Sequence, residues 1–340
     1  MLVGMLLGLL FVTPIVLVYV VIIRFCDRFE PEPWWLVTCA FLWGAVIATL
    51  GGGLFSGAVE HAVAALLEAR TKDPAIQAFG ATVLAPVFEE GFKGLGMALI
   101  ALLSAVKLKE LDGPLDGAIY GGVIGLGFTL TEDILYVSNQ YDGGGFRAFF
   151  SLFFVRTILL GLSHCTFTAC TGLGFGIAAE SRRWSVKILA PIVGFVFAMG
   201  MHAMHNGLPT FFGDGGVPAM IVITWVIAAL YFVLLGVLVA RDRAIVIREL
   251  WGEVGGLLHA KELKLVSSYF ALGKKNLDVL RSKGWAAWSE WRQKQLALVE
   301  LAFVKSRKRR GEKGKSLDDK ESRLRQEIAI ANRRGIWIGS

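Results

Sequence analysis

Two adjacent carboxylates and an ammonium, Glu89, Glu90 and Lys93, stand inside an apolar run from about Ala78 to Leu103 that is long enough to cross a bilayer. Ionisable groups in hydrocarbon cost roughly 2.5–3.5 kcal/mol each on insertion scales, so they face a bundle interior or a wet cavity. On a helix Lys93 is four residues from Glu89 and three from Glu90, so it can partly neutralise both. Later apolar runs carry Glu132 and Asp133, then Arg156, His164 and Thr168, then His202, His205 and Asn206. The pairs Phe128/Glu132, His164/Thr168 and His202/Asn206 are each spaced i,i+4, so both members of a pair can point at one atom. Two imidazoles with carboxylates suit a divalent metal such as zinc, which takes nitrogen and oxygen ligands and keeps a position for water in catalysis. A remaining carboxylate can then act as general base on that water. A metal-free alternative stands beside it, in which a buried glutamate activates water with histidine help.

Other hydrolytic chemistries find no support. Gly161-Leu162-Ser163-His164 lacks the second glycine of a GxSxG elbow, Asp142 and Asp214 fall in predicted loops, and the chain contains no HExxH. Each polar residue also has a purely structural use. Glu89, Glu90 and Lys93 can lock two helices, and a lone His164 can hydrogen-bond a neighbouring helix. Arg156 can neutralise a buried carboxylate, His205 can sit at the interface, and Asp133 reads as an outer-end charge. So many such groups on successive apolar segments imply a shared polar interior, and the spacings favour function.

The elements that must position these groups are membrane helices. The chain has 340 residues, of which 55% are hydrophobic, and a mean hydropathy of +0.58, which excludes a soluble enzyme. The predicted fold is all-α, a polytopic membrane helix bundle of about seven transmembrane helices with a C-terminal cytoplasmic helical region. Spans are expected at about 2–23, 36–55, 78–103, 115–137, 146–177, 188–208 and 217–240, with a short interfacial helix within 56–77 and a loop over SNQYDGGG. The first span has neither a positive n-region nor a small-residue cleavage site, so it reads as a retained helix. Residues 1–240 form the membrane-embedded domain.

From 241 to 340 apolar residues recur at helical spacing among many charges, which predicts a cytoplasmic tail of amphipathic helices, broken near SRKRRGEKGKS. That basic run reads as a solvated turn, and no nucleic-acid partner is expected. Arg24, Arg28, Lys107, Lys109, Arg182, Arg183, Lys187 and the tail fall on one side of the predicted membrane, and Arg70, Lys72 and Arg147 on the other. The positive-inside rule places the C-terminus in the cytoplasm and the N-terminus outside. The predicted location is the cell (plasma) membrane, multi-pass, with the lipid bilayer as constant partner.

In order, EEGFK (89–93), FTLTE (128–132), HCTFT (164–168) and HAMHN (202–206) resemble the motifs of the PrsW family of intramembrane proteases, itself distantly similar to the CAAX-processing prenyl endopeptidases. DRFEPEPWW (27–35), LDGPLDGAIYGGVIGLGFTLTEDILY (111–136) and ALVELAFVKSRKRRG (297–311) extend the likeness over most of the chain. The resemblance implies a metal-dependent intramembrane endopeptidase. Its substrate would be a membrane-anchored protein, such as an anti-sigma factor in stress signalling, and zinc its expected cofactor. It gives Glu89 and Glu90 the base and the metal- or water-binding roles, in either order. Lys93 becomes their neutralising partner, and Glu132 and His164 further active-site positions. His202 and Asn206 match the last motif. His205 stands where the family often has an aromatic residue, and the i,i+4 asparagine favours His202 as the inward histidine. The catalytic set is therefore Glu89, Glu90, Lys93 and Glu132, and the candidate metal ligands are Glu90, His164, His202 and Asn206. Two readings compete: a proton- or ion-coupled transporter or channel using Glu89, Glu132 and His164 as a relay, and a non-catalytic membrane scaffold. Transporters often show duplicated halves, and this sequence has no internal repeat.

Overall fold

A chain that crosses lipid has to satisfy its backbone hydrogen bonds internally, and helices do so within one segment. The computed structural model describes residues 1–337 except Arg28, Glu30, Ala69 and Lys109, with Tyr269 described by its backbone alone. Arg28 and Lys109, counted above among the positive residues, therefore lie outside the described residues. The described residues are mostly helical, with no strand among them beyond an isolated bridge between Val254 and Leu258. They divide into two units, one built from Met1–Asp27 and Glu32–Leu235, the other from Gly236 onward together with Phe29 and Pro31.

In the first unit the helices are α1 (Leu2–Cys26), α2 (Trp34–Leu66), α3 (Pro74–Leu108), α4 (Pro114–Phe153), α5 (Ser163–Glu180), α6 (Trp184–Phe212) and the first part of α7 (Gly216–Trp251). Among the described residues, five helical stretches are long and apolar enough to cross a membrane, and the last two, Pro114–Glu180 and Trp184–Trp251, run to 67 and 68 residues with a turn inside each. The protein is a multi-pass membrane protein. Asp73 caps α3, accepting a hydrogen bond from the Ala75 amide at 2.8 Å, with Pro74 at the first helical position. Asp116 does the same service for α4, accepting from the amide of Gly113 at 2.8 Å.

Three expectations are corrected. Residues 56–66 continue α2 and do not form a separate short helix. The SNQYDGGG segment is helical up to Gly144, and the chain bends at Gly145, whose φ of 63° suits only glycine without strain. The span expected at 146–177 is broken by a turn at 160–162, so Arg156 and His164 belong to different helical pieces.

α4 and α5 lie antiparallel at backbone contact. A Cβ at Gly121 would meet the Thr168 carbonyl at 2.5 Å, and Cβ atoms at Gly117 and Gly125 would overlap the Gly172 and His164 carbonyls. This four-residue stripe of small residues lets the two helices touch along one face, and that approach carries His164 and Thr168 to the bundle interior.

Among the described residues four π-type widenings interrupt the α-helical ladder, at Trp43–Ala48 in α2, Gly80–Leu84 and Ser104–Leu108 in α3, and Phe154–Leu159 after α4. The second has a local cause, since Pro86 cannot donate to the Thr82 carbonyl four residues back. Such widenings free carbonyls, and side chains take them up here. The Ala45 carbonyl accepts from Thr131 at 2.6 Å, and the Ala81 carbonyl accepts from Asn206 Nδ2 at 2.9 Å. The connection between α1 and α2 is tied by Arg24, which donates to Asp27 Oδ2 at 2.8 Å and to the Glu32 carbonyl at 2.7 Å. Buried Glu32 in turn accepts a short hydrogen bond from the Tyr120 hydroxyl of α4.

The second unit packs α8 (Ala260–Val266), α9 (Tyr269–Arg309) and α10 (Lys315–Arg333) around Leu250, Leu298, Leu301, Leu324 and Ile328. α9 stops within the basic stretch SRKRRGEKGKS, and α10 starts at its end. Glu253 is the polar hub of this unit. It receives two hydrogen bonds from Arg325, each 2.8 Å, and an ion pair from Lys305, and the Arg325 hydrogen bonds hold its carboxyl down at about 2.

Candidate active site

Glu89, Glu90 and Lys93 lie on one face of α3, Glu132 on α4, His164 and Thr168 on α5, and His202 on α6. The fold brings all seven into one cluster. Glu90 and Lys93 are fully buried and paired at 2.8 Å. Glu90 Oε1 also contacts His202 Nδ1 at 3.0 Å, and Glu90 Oε2 accepts from the Thr168 hydroxyl at 3.1 Å. Lys93 Nζ reaches His164 Nδ1 at 3.1 Å and lies 3.5 Å from the centre of the Phe128 ring. His164 Nε2 meets Glu132 Oε2 at 2.7 Å.

The partners fix the tautomers. An ammonium has donors and no acceptor, so His164 Nδ1 accepts from Lys93 and Nε2 carries the proton given to Glu132. A carboxylate only accepts, so His202 donates from Nδ1 to Glu90 and leaves a lone pair on Nε2. That Nε2 lies 3.7 Å from Glu89 Oε2. Glu89 Oε2 is buried and has no hydrogen-bond partner among the described residues. Glu89, His164 and His202 each offer a ligand atom, and these atoms lie within 4.8 Å of one another.

The other nominated residues stand further out. Asn206 is one turn beyond His202, with its amide on the Ala81 carbonyl of the widened turn in α3. His205 turns away, its Nδ1 3.5 Å from the Thr224 hydroxyl. Asp133, expected as an outer-end charge, is instead 2% exposed and bound at 2.9 Å by both Arg156 Nε and the Thr157 hydroxyl. Arg156 also pairs with Glu132 at 2.9 Å, so its one charge serves two carboxylates. Sequence reasoning passed over Thr157 and Phe167, whose ring stacks on His202 with centroids 5.5 Å apart. A hydroxyl and an aromatic ring in apolar segments look like ordinary core until their neighbours are known.

A family model described as PrsW family intramembrane metalloprotease matches residues 32–235, more than half of the chain and the whole of this cluster. This chain belongs to the PrsW family. The Protease PrsW of Geobacillus kaustophilus (strain HTA426) is 27% identical over 186 residues, covering 54% of this chain and 70% of that protein. No solved structure matches the chain. As a PrsW-family protein it is a hydrolase, an intramembrane protease, and its substrates are membrane proteins.

The family name implies a metal, and the residues present fit one. The donor set is nitrogen and carboxylate oxygen, as zinc prefers. The Glu89 oxygen is a buried acceptor without a hydrogen bond, and its nearest cation, Lys93 at 3.9 Å, is shared with Glu90. Both histidines have their outer N–H held by a carboxylate, Glu90 for His202 and Glu132 for His164. Metal-binding histidines almost always have such a partner, which aims the inner nitrogen at the ion.

Proposed function

We propose that this chain hydrolyses a peptide bond of a membrane-anchored protein, with zinc held by Glu89 Oε2, His164 Nδ1 and His202 Nε2. The observation that carries the reading is the convergence of these three donors, with a carboxylate behind each imidazole. Glu90 and Asn206, also nominated as ligands, act one step out in this scheme: Glu90 orients His202, and Asn206 ties α6 to α3. Bound zinc would supply a Lewis acid that polarises the scissile carbonyl and the attacking water. With Oε2 given to the metal, the other carboxylate oxygen of Glu89 takes the proton that water loses as its oxygen attacks the carbonyl carbon. The same proton then passes to the departing amine as the C–N bond breaks. Lys93 offsets the charge of Glu90, and Arg156 that of Glu132 and Asp133, so the cluster stays charged yet neutralised in an apolar surround.

The favoured substrate is a single-span protein such as an anti-sigma factor, cut in regulated proteolysis. The orientation that accompanies this reading has seven crossings, the N-terminus outside and the C-terminus cytoplasmic. The distribution of Lys and Arg among the connections supports it.

Purified full-length protein in detergent is assayed for zinc and for cleavage of a panel of single-span substrates, alongside Glu89→Gln and His202→Ala. About one zinc per wild-type chain is expected. Cleavage should fall by at least about 100-fold in both variants with helicity and melting retained. Undiminished cleavage in folded Glu89→Gln would remove Glu89 from the chemistry.

A further inference from the structure

Lys93 stands where a divalent ion would compete with it. Its Nζ is 2.8 Å from Glu90 Oε1, 3.1 Å from His164 Nδ1 and 3.9 Å from Glu89 Oε2. It therefore contacts one of the three donor atoms assigned to the metal and lies near a second. His164 has its other nitrogen committed to Glu132, so the lone pair facing Lys93 is the one it can give to a metal. An ammonium and a metal cannot both take that lone pair, and two cations this close in an apolar surround repel strongly. Lys93 has a place to retreat to without leaving the helix, since Glu90 and the face of Phe128 also hold it.

We propose that Lys93 is a built-in competitor for the metal. Its ammonium closes the donor cage around a single positive charge, and a divalent ion enters by displacing it from His164 towards Glu90 and Phe128. The inference rests on the metal reading above. It gives Lys93 a second role besides neutralising Glu90: the cage is never left as uncompensated carboxylates inside the membrane. Only an ion that binds three nitrogen and oxygen donors strongly can displace the ammonium, which raises the threshold against weakly bound cations. A lysine that merely paired with Glu90 would make no such difference, and its removal would leave metal affinity unchanged or weaker.

The test uses full-length protein in detergent, stripped with chelator and titrated with Co2+ while its visible absorption is followed, then with Zn2+ to displace it. Wild type is compared with Lys93→Gln, and Glu90→Gln with the double variant Glu90→Gln/Lys93→Gln. The second comparison removes Lys93 where Glu90 is already neutral, which guards against misfolding from an unpaired Glu90, and it holds constant the loss of the carboxylate that orients His202. Each folded protein carrying Lys93→Gln should bind Co2+ at least about tenfold tighter than its Lys93 reference. Binding by the Lys93→Gln proteins and none by their references would also support the competitor. Equal or weaker binding by the folded Lys93→Gln proteins than by their references, with wild type binding normally, would overturn the competitor and leave the metal site standing. Binding by none of the folded proteins would overturn the metal reading and the competitor together.

Discussion

Arg156 sits between two carboxylates, and its geometry sets the order in which the neighbouring side chains depend on each other. Asp133 anchors the guanidinium Nε at 2.9 Å and is itself held by Thr157. The guanidinium anchors Glu132 at 2.9 Å, and Glu132 orients His164 at 2.7 Å. The face of Tyr136 covers Arg156 at 3.9 Å. Asp133 thus acts on the site through two intermediates and is a positioning residue. In Asp133→Asn the Arg156 charge stays matched by Glu132, so the fold should survive while the aim of His164 loosens. Loss of an outer partner typically costs 10–100-fold in metal affinity or activity, and about that loss is expected in both. Chelator competition and cleavage of one substrate measure it, and wild-type values in both would show that Asp133 does not act through this chain of contacts. Arg156→Ala is a different experiment, because it leaves buried Asp133 and partly buried Glu132 without their shared cation. It should destabilise the protein by about 3–5 kcal/mol, read from thermal unfolding in detergent. The partner of Asp133 is 23 residues away and across the bend at Gly145, which is why its adjacency to Glu132 in sequence suggested only a second charge at a helix end.

Helix contacts decide how far apart these side chains are held, and the α4–α5 pair is the tightest case. At Gly121 a Cβ would lie 2.5 Å from the Thr168 carbonyl and 3.0 Å from the Ala169 Cα, and backbone cannot yield as a side chain can. Gly121→Val should therefore separate the helices, moving His164 and Thr168 away from α3. A cost of roughly 1–3 kcal/mol or more is expected, with cleavage lost beyond what the stability change explains. Gly57→Ala, with nothing within 4 Å of the added carbon, is the matched control and should change neither melting nor cleavage. A Gly121→Val protein that melts and cuts like wild type would mean the helices do not need this contact. Apolar runs and i,i+4 spacing were enough to read the helices and to place Glu89, Glu90, Lys93, Glu132, His164 and His202 as inward-facing. The 40 glycines of the sequence do not say which helices touch, because that depends on contacts between residues such as 121 and 168. The turn at 160–162 was hidden for another reason. Leu160, Gly161 and Leu162 are as apolar as the helix they interrupt, so hydropathy passes straight through. The π-type widenings leave hydropathy equally unmarked, and only Pro86 hinted at one of them.

At the scale of the whole molecule, the proposed orientation turns on which helix ends lie together and which of them are cationic. A Cβ at Gly176 would overlap the Gly113 carbonyl, so the start of α4 and the end of α5 lie together. That end is flanked in sequence by Lys107 on one side and by Arg182 and Arg183 on the other. At the opposite end of α4, a Cβ at Gly4 would lie 2.8 Å from the Ser138 carbonyl, which puts the start of α1 away from those basic residues. Packing thus groups the cationic connections on one side and the start of α1 on the other, the arrangement the positive-inside rule reads as cytoplasmic and external. The basic unit from Gly236 onward then follows α7 to the cytoplasmic side only if the number of crossings is odd. Two reporters test this in living cells. A fluorescent protein that matures only in the cytoplasm, fused after the last residue, should light up. An alkaline phosphatase active only outside, inserted in the connection between α2 and α3, should also be active, because two crossings from an external start return the chain to the outside. A dark C-terminal fusion with an inactive insertion would reverse the orientation. A dark fusion with an active insertion would keep the external start and make the number of crossings even, so that one of the long paired stretches, Pro114–Glu180 or Trp184–Trp251, crosses differently from the proposal.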